Sequence, residues 1–143
     1  MSARTFSAPQ PNSETGPFWD GLGAGVLRIK ICDSCDRAHY YPRAICPHCG
    51  SADTRWVDAS GFGEIYSLSV MRRGEGAPFA VAYVTLDEGV AVLTNLVADD
   101  LDSLAIGQRV QLAPVASEGG GSESGPNLPC FAPSLPAKGL RRR

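Results

Sequence analysis

The sequence predicts a mainly β protein in which a short helix and a small metal-binding ribbon precede a β-barrel. Two Cys-x-x-Cys pairs lie within residues 32–49, and alternating apolar segments follow within residues 63–133. The chain has 143 residues, of which 43% are hydrophobic, so it suits one compact domain or two very small ones. This composition excludes a wholly disordered chain. No apolar run reaches the roughly 18 residues that a transmembrane helix needs.

The beginning of the chain predicts a leader, a short helix and one strand. Residues 1–16 are rich in Ser, Pro and Thr and lack the apolar core of a signal peptide, so we expect a flexible leader and a cytoplasmic protein. A helix then begins near Pro17 with Phe18 and Leu22 on one face, and nearby glycines limit it to one or two turns. Residues 27–31 alternate apolar and basic side chains, which is typical of a half-buried strand.

Four cysteines form the strongest chemical signal: Cys32, Cys35, Cys46 and Cys49. Each Cys-x-x-Cys pair forms a tight knuckle, and two facing knuckles supply four thiolates for a tetrahedral metal site. Zinc is favoured because structural ribbons usually bind it, although a rubredoxin-like iron site has the same ligands. A redox-active pair or disulfides would explain this spacing less well than a metal does. Four protein ligands leave no open position for an activated water, which argues against zinc-dependent hydrolysis.

The residues around the cysteines predict a structural site. Gly50 follows the second knuckle and suits a left-handed turn, whereas Asp36 occupies the equivalent position of the first knuckle. His39 and His48 both lie inside the ribbon, and neither is placed to activate a nucleophile. The fifth cysteine, Cys130, is expected to be a buried core thiol. Candidates to offset the negative charge of the site are Lys30, Arg37, Arg43 and His48.

The second half of the chain predicts five strands. These strands are residues 63–71, 79–86, 90–97, 109–115 and 128–133. Their number fits the OB-fold, although spacing alone does not distinguish it from an SH3-like barrel. The prolines of the last segment favour an edge strand. Residues 117–127 are rich in Gly and Ser and predict a flexible loop.

Charge argues against a nucleic-acid function. The net charge is −2, but four of the 13 basic residues lie within residues 138–143. Without these four, nine basic side chains face 15 acidic ones, and such a body repels a phosphate backbone. We expect a solvated basic tail over residues 134–143. Single-stranded nucleic-acid binding, a common OB-fold function, is the alternative hypothesis.

Known catalytic motifs are absent from the sequence. It contains no Walker loop, dinucleotide-binding glycine motif, G-x-S-x-G or H-E-x-x-H. Arg72 and Arg73, beside a glycine-rich turn, and the acidic residues 99–102 are interpreted as solvated loops. Phe18 and Trp19 lie on a helix too short to bury them, so we expect them to pack on the barrel or to bind a partner protein.

Three features occur in a fixed order: the segment Pro17–Gly21 (Pro-Phe-Trp-Asp-Gly), the two knuckles, and the barrel. In this order the chain resembles the acyl-CoA-associated zinc-ribbon OB-fold proteins over roughly residues 16–133. Residues 61–67, 93–96 and 106–110 are further matching stretches. Asp36 departs from the family pattern, in which glycine is common at this position.

The resemblance implies a short N-terminal helix, a rubredoxin-like zinc ribbon and a C-terminal five-stranded OB-fold barrel. It places Zn²⁺ on the four knuckle cysteines. It also implies a noncatalytic accessory subunit that associates with a thiolase or a MaoC-type enoyl-CoA hydratase. Such a subunit would support the handling of an acyl-CoA thioester in fatty-acid, polyketide or steroid metabolism. The expected division is a leader (1–16), the helix and zinc ribbon (17–56), the OB-fold (57–133) and the basic tail (134–143).

Overall fold

The computed structural model describes residues 5–118 and 125–134. Their regular secondary structure consists mostly of short strands. Helix α1 spans Gly16–Gly23, and a 3-10 helix spans Leu101–Ser103. The strands are β1 (Arg28–Cys32), β2 (Ala38–His39), β3 (Thr54–Asp58), β4 (Phe62–Met71), β5 (Phe79–Leu86), β6 (Ala91–Leu96), β7 (Arg109–Leu112), β8 (Val115–Ala116), β9 (Asn127–Leu128) and β10 (Phe131–Pro133). The predicted mainly β class is confirmed. Within the described residues, no helix has the length and apolar character required to cross a membrane.

The ribbon is a three-stranded antiparallel sheet with the order β2-β1-β3. β1 pairs with β3 along its whole length, from Arg28 opposite Asp58 to Cys32 opposite Thr54. β3 therefore extends to Asp58. This pairing places Cys32 at the end of the sheet where the two knuckles meet.

Five strands close into a barrel with the order β10-β6-β5-β4-β7. The closed barrel confirms the five predicted strands. The closure requires a close approach between β4 and β5 at Gly63. A Cβ atom at Gly63 would lie 2.6 Å from Cγ1 of Val84 and 2.7 Å from the carbonyl oxygen of Thr85. Glycine is therefore required at this position for steric reasons.

The last strand closes the barrel, so the prediction of an edge strand is wrong. β10 lies between β6 and β7, because Phe131 pairs in parallel with Leu96 and antiparallel with Leu112. A closed barrel has no edge. Pro133 pairs with Val110 at the end of β10, where a missing N–H group is tolerated.

The described part of the leader, residues 5–14, is mostly exposed but forms hydrogen bonds with the rest of the protein. The Phe6 carbonyl accepts a hydrogen bond from the Glu118 N–H at 2.8 Å. Oε1 of Glu14 accepts another from the Ala44 N–H at 2.8 Å. These bonds attach the leader to both the barrel side and the ribbon. Residues 1–4, and the predicted basic tail after residue 134, lie outside the described residues.

The predicted loop 117–127 begins and ends in paired structure. β8 and β9 form an antiparallel pair, and the Ser117 N–H donates to the Pro126 carbonyl at 3.2 Å. The chain therefore leaves the barrel and returns to it through a short two-stranded stem. The centre of this loop, residues 119–124, lies outside the described residues.

One apolar core connects the helix, the base of the ribbon and the barrel. Phe18 and Leu22 of α1 and Ile29 of β1 belong to the same buried cluster as the barrel interior. The other members of the cluster include Ile65, Val84, Val92, Val110 and Phe131. Cys32 and Cys46 are buried but lie outside this cluster. The knuckles therefore depend on contacts other than the main core.

Candidate metal centre

The four knuckle cysteines converge on one point. Their sulfur atoms all lie within 4.8 Å of one another, with 3.6 Å between Sγ of Cys32 and Cys49 and 3.8 Å between Sγ of Cys35 and Cys46. A tetrahedral site with Zn–S bonds of about 2.3 Å has S···S distances of about 3.8 Å. All four are free cysteines rather than disulfide partners. The donor set and its spacing therefore fit a four-sulfur metal site.

The two knuckles have the same backbone form. The Asp36 N–H donates to the Cys32 carbonyl and the Gly50 N–H donates to the Cys46 carbonyl, both at 2.9 Å. Both residues have a positive φ, 57° for Asp36 and 77° for Gly50. The aspartate of the first knuckle therefore adopts the left-handed conformation that glycine adopts in the second.

Backbone N–H groups point at the sulfur atoms. The His48 N–H lies 3.4 Å from Sγ of Cys46. Cys32 accepts from the N–H groups of Cys35 and Ser34, and Cys49 accepts from that of Ser51. Such donors stabilise thiolates and orient them toward an ion.

The close approach of four thiols perturbs their ionisation. Burial raises the pKa of Cys32, but hydrogen bonds from backbone N–H groups and neighbouring thiols outweigh this effect and lower the pKa to about 7. The Arg37 N–H lowers the pKa of Cys35, but burial and the three neighbouring thiols outweigh it and raise the pKa to about 12. Four thiolates this close repel one another, and a divalent cation removes that repulsion.

Polar contacts hold the knuckles to each other and to the sheet. The hydroxyl groups of Ser34 and Ser51 lie 2.8 Å apart, between the first and second knuckles. The Arg55 guanidinium of β3 donates to the Asp33 carboxylate at 2.9 Å. Nε2 of His48 lies 3.2 Å from the Ala38 carbonyl of β2. The sequence pattern did not reveal these contacts, because they join residues 10 to 22 positions apart.

Lys30 lies in the ribbon with only 8% of its surface exposed. Its ammonium group donates to the Arg43 carbonyl at 3.2 Å and to the Thr54 hydroxyl at 3.0 Å, and it lies 5.0 Å from the Trp56 ring centroid. Lys30 therefore fixes the segment that leads into the second knuckle.

Phe18 and Trp19 have different environments. Phe18 is fully buried, and its ring centroid lies 5.8 Å from that of Tyr40 and 5.7 Å from that of Tyr41. The ring therefore packs in the core that the helix shares with the barrel, which is the first of the two alternatives expected from the sequence, and it has no exposed surface for a partner. Trp19 is half-buried beside Phe18, with a centroid distance of 4.9 Å.

Cys130 and His39 are buried, with 2% and 3% of their surfaces exposed. The predicted core environment of Cys130 is confirmed. His39 lies on β2 opposite Lys30 of β1. It is part of the interior of the ribbon.

Both modules match known protein families. The model of the ChsH2 rubredoxin-like zinc ribbon domain matches residues 19–55, and that of the ChsH2 C-terminal OB-fold domain matches residues 56–114. A solved structure described as Ltp2-ChsH2(DUF35) aldolase aligns with a TM-score of 0.74 and 31% identity, covering 89% of this chain and 99% of that one. The chain belongs to the ChsH2 zinc-ribbon OB-fold family. The resemblance drawn from the sequence is thereby confirmed.

Two curated proteins are also similar to this ChsH2-family chain. A probable enoyl-CoA hydratase alpha subunit from Thermomonospora curvata is 32% identical over 132 residues, which is 90% of this chain and 40% of the relative. A DUF35 domain-containing scaffold protein from Methanothermobacter thermautotrophicus is 34% identical over 87 residues, which is 57% of this chain and 65% of the relative. The chain thus spans about two fifths of the hydratase subunit.

The loops interpreted as solvated contain an ion pair and a turn. The Arg72 guanidinium bonds to the Asp102 carboxylate, and the Asp100 carboxylate accepts from the Asp102 N–H at 2.9 Å. A cavity of about 500 Å³ lies beside them, lined by apolar side chains such as Phe79 and Leu96. The basic side chain that lines this cavity, Arg72, is already paired. Among the described residues that line the cavity, therefore, no unpaired basic side chain is present to bind the phosphates of CoA.

Proposed function

We propose that this protein is a cytoplasmic, noncatalytic subunit that binds an acyl-CoA hydratase or thiolase and helps to handle the acyl-CoA thioester. One observation carries the proposal: the chain aligns with nearly the whole of a ChsH2(DUF35) chain whose structure is described as an aldolase with Ltp2. The names of the curated relatives, a hydratase subunit and a scaffold protein, support the same role.

The chemistry of the site supports a structural role. A metal held by four protein sulfur atoms has no open position for substrate or water. Both histidines belong to the ribbon, where His39 is buried and His48 contacts the Ala38 carbonyl. The partner enzyme then supplies the catalytic groups, and this chain supplies a binding surface.

The metal is zinc in this proposal, held by Cys32, Cys35, Cys46 and Cys49. When bound, zinc supplies a closed tetrahedral crosslink between the two knuckles. Elemental analysis of the purified chain should give one zinc per chain. A coloured protein that contains iron and undergoes reversible reduction would contradict this assignment.

Copurification tests the function. A tagged full-length chain is expressed in its source organism, and bound proteins are purified and identified by mass spectrometry. We expect an acyl-CoA hydratase or thiolase in a defined stoichiometry. Turnover of an enoyl-CoA or 3-ketoacyl-CoA by that enzyme should increase when the purified chain is added.

Two results would contradict the proposal. One is purification of the chain alone, with no effect on the solubility or turnover of hydratases and thiolases encoded beside it. The other is acyl-CoA turnover by the isolated chain, because a noncatalytic subunit has none. A Cys32→Ser variant removes a metal ligand and is expected to unfold the knuckles, so it tests whether partner binding needs a folded ribbon.

A further inference from the structure

Four exposed apolar side chains form a row across the outside of the barrel. This apolar row consists of Leu93 on β6, Tyr83 on β5, Tyr66 on β4, and Ile106 before β7. Tyr83 lies directly opposite Leu93, with 46% and 53% of their surfaces exposed. Cross-strand neighbours on one face are in side-chain contact range. The row therefore begins as a continuous apolar surface on β5 and β6.

A bulge extends the row onto β4. The register between β4 and β5 shifts between Ile65 and Ser67, and Ser67 lies opposite Tyr83. Tyr66 is therefore the extra residue of a β-bulge, a feature that redirects a side chain. Its side chain is 72% exposed, the largest value among the exposed large hydrophobic residues of the described chain.

Ile106 continues the row beyond β4. The Ile65 carbonyl accepts a hydrogen bond from the Gly107 N–H at 2.8 Å, which fixes Ile106 beside the bulge. Ile106 is 69% exposed, second only to Tyr66 among the large hydrophobic residues described. Together the four residues expose on the order of 500 Å² of mostly apolar surface, within the range of the largest apolar patch on a typical monomer, which is often functional.

The charge of the barrel defines the chemistry of what it binds. Residues 59–118 and 125–134 contain eight acidic and three basic side chains. Two of the three arginines are neutralised, Arg72 by Asp102 and Arg109 by Asp87. A barrel that carries net negative charge and an exposed apolar row complements a protein surface with an apolar depression and basic side chains nearby. It repels the phosphates of nucleic acids and anionic lipids.

We infer that the apolar row is the surface through which the barrel docks on its acyl-CoA enzyme. The contact surface of that enzyme is an apolar depression bordered by Lys or Arg side chains. This inference rests on the proposed function and adds the location of the interface. Strand addition is unavailable because the barrel is closed, so the side chains of the row make the contact.

Charge-introducing variants test the interface. The probe is the hydratase or thiolase that copurifies with the wild-type chain, and its affinity is measured by calorimetry for Tyr66→Glu and Leu93→Glu. Each substitution should weaken binding about tenfold or more, as expected near the centre of an interface. The matched control is Met71→Glu, at the end of β4 and 47% exposed, which should change affinity by less than about twofold.

Folding is checked for every variant by metal content and melting temperature. If a glutamate variant does not fold, Tyr66→Ser and Leu93→Ser take its place, and each should still weaken binding more than Met71→Ser. Increasing salt should weaken wild-type binding, because the rim contributes electrostatic attraction. An affinity insensitive to salt would overturn the basic-rim assignment.

The remaining outcomes separate the two proposals. If the wild-type chain binds the enzyme and the row variants bind equally well, the row is not the interface, although the proposed function stands. If the wild-type chain binds no acyl-CoA enzyme, the proposed function fails and the inference fails with it. Dimers of the chain that the variants dissociate without weakening enzyme binding would assign the row to a second copy. Oligonucleotide binding that the variants abolish would likewise overturn the inference.

Discussion

The ribbon and the barrel are stabilised in different ways. Within residues 32–50, the buried side chains are Cys32, His39, Pro42 and Cys46. The barrel, in contrast, surrounds a buried set that includes Ile65, Ala82, Val84, Leu86, Val92, Val110 and Phe131. Apolar burial stabilises the barrel directly. The knuckle region has too little of it, so we expect it to depend on a metal ion held by the four cysteines. The comparison teaches that the two modules should respond to different perturbations.

Metal removal should have the largest effect, and it should act on the ribbon alone. A Cys32→Ser variant, or chelation of the metal, is expected to unfold the knuckles, because structural zinc contributes about 10–16 kcal/mol in small zinc domains. Backbone amide NMR resonances of residues 32–58 should lose dispersion while those of β4–β7 remain dispersed. Cys130→Ser is the matched control, since it alters a buried barrel thiol and should leave metal content unchanged. Unchanged ribbon resonances in the metal-free chain would contradict the comparison.

The converse perturbation removes barrel packing. Phe131 is fully buried between β6 and β7, so Phe131→Ala should lower the free energy of unfolding by about 3–5 kcal/mol. Denaturant unfolding of the metal-bound chain measures this loss. Phe62→Ala is the control, because its side chain is 42% exposed and its loss should cost less than about 1 kcal/mol. Equal losses for the two variants would show that β10 does not close the core.

Features that depend on neighbouring residues could be predicted from the sequence, whereas features that depend on tertiary contacts could not. The four cysteines were found from their spacing because a knuckle needs only neighbouring residues. The strands were found from alternation, since a strand with one buried face has a period of two. The prolines near β10 predict an edge strand from local sequence alone. Its actual position inside the barrel depends on pairing with Leu96 and Leu112, which are distant in the sequence.

Side chains whose burial depends on other elements were also hard to place. Phe18 is buried by Tyr40 and Tyr41 of the ribbon, so the short helix did not have to bury it alone. Lys30 is buried although its strand alternates as a half-exposed strand would, because the Arg43 carbonyl and the Thr54 hydroxyl accept hydrogen bonds from its ammonium group. Tyr66 is exposed at a β-bulge, and no residue pattern in the sequence indicates that bulge.

Acid should destabilise the ribbon more than the barrel through His39. Burial lowers the pKa of His39 below its ordinary value of 6.5. A backbone contact with Arg43 raises it in part, but the charges of Lys30, His48 and Arg43 add to the lowering, and the net direction is down. The unfolded chain therefore binds the proton more readily, so stability is full above about pH 6.5 and falls as the pH drops below it. The protection of ribbon amides against exchange, relative to the intrinsic exchange rate at each pH and with metal content checked, should fall toward acid.

Two variants separate this effect from loss of metal. His39→Gln should abolish this fall in protection, because glutamine does not titrate. His48→Gln should retain most of it, since His39 stays buried opposite Lys30. If protection still falls in His39→Gln, the cause is protonation of the thiolates, and the acid sensitivity of the ribbon comes from the metal site alone.

The smallest expected effect compares the two knuckles with each other. Asp36 has a φ of 57°, a conformation that glycine adopts with less strain, so Asp36→Gly should raise the free energy of unfolding by up to about 1 kcal/mol. The reciprocal Gly50→Asp, where an added Cβ would meet no atom within 4 Å, should lower it by a similar amount. Denaturant unfolding of the metal-bound chain measures both changes. Equal and opposite effects would show that the left-handed backbone conformation carries the same strain in both knuckles. A much larger loss for Gly50→Asp would show that the second knuckle is more constrained, because His48 and Ser51 tie it to β2 and to the first knuckle.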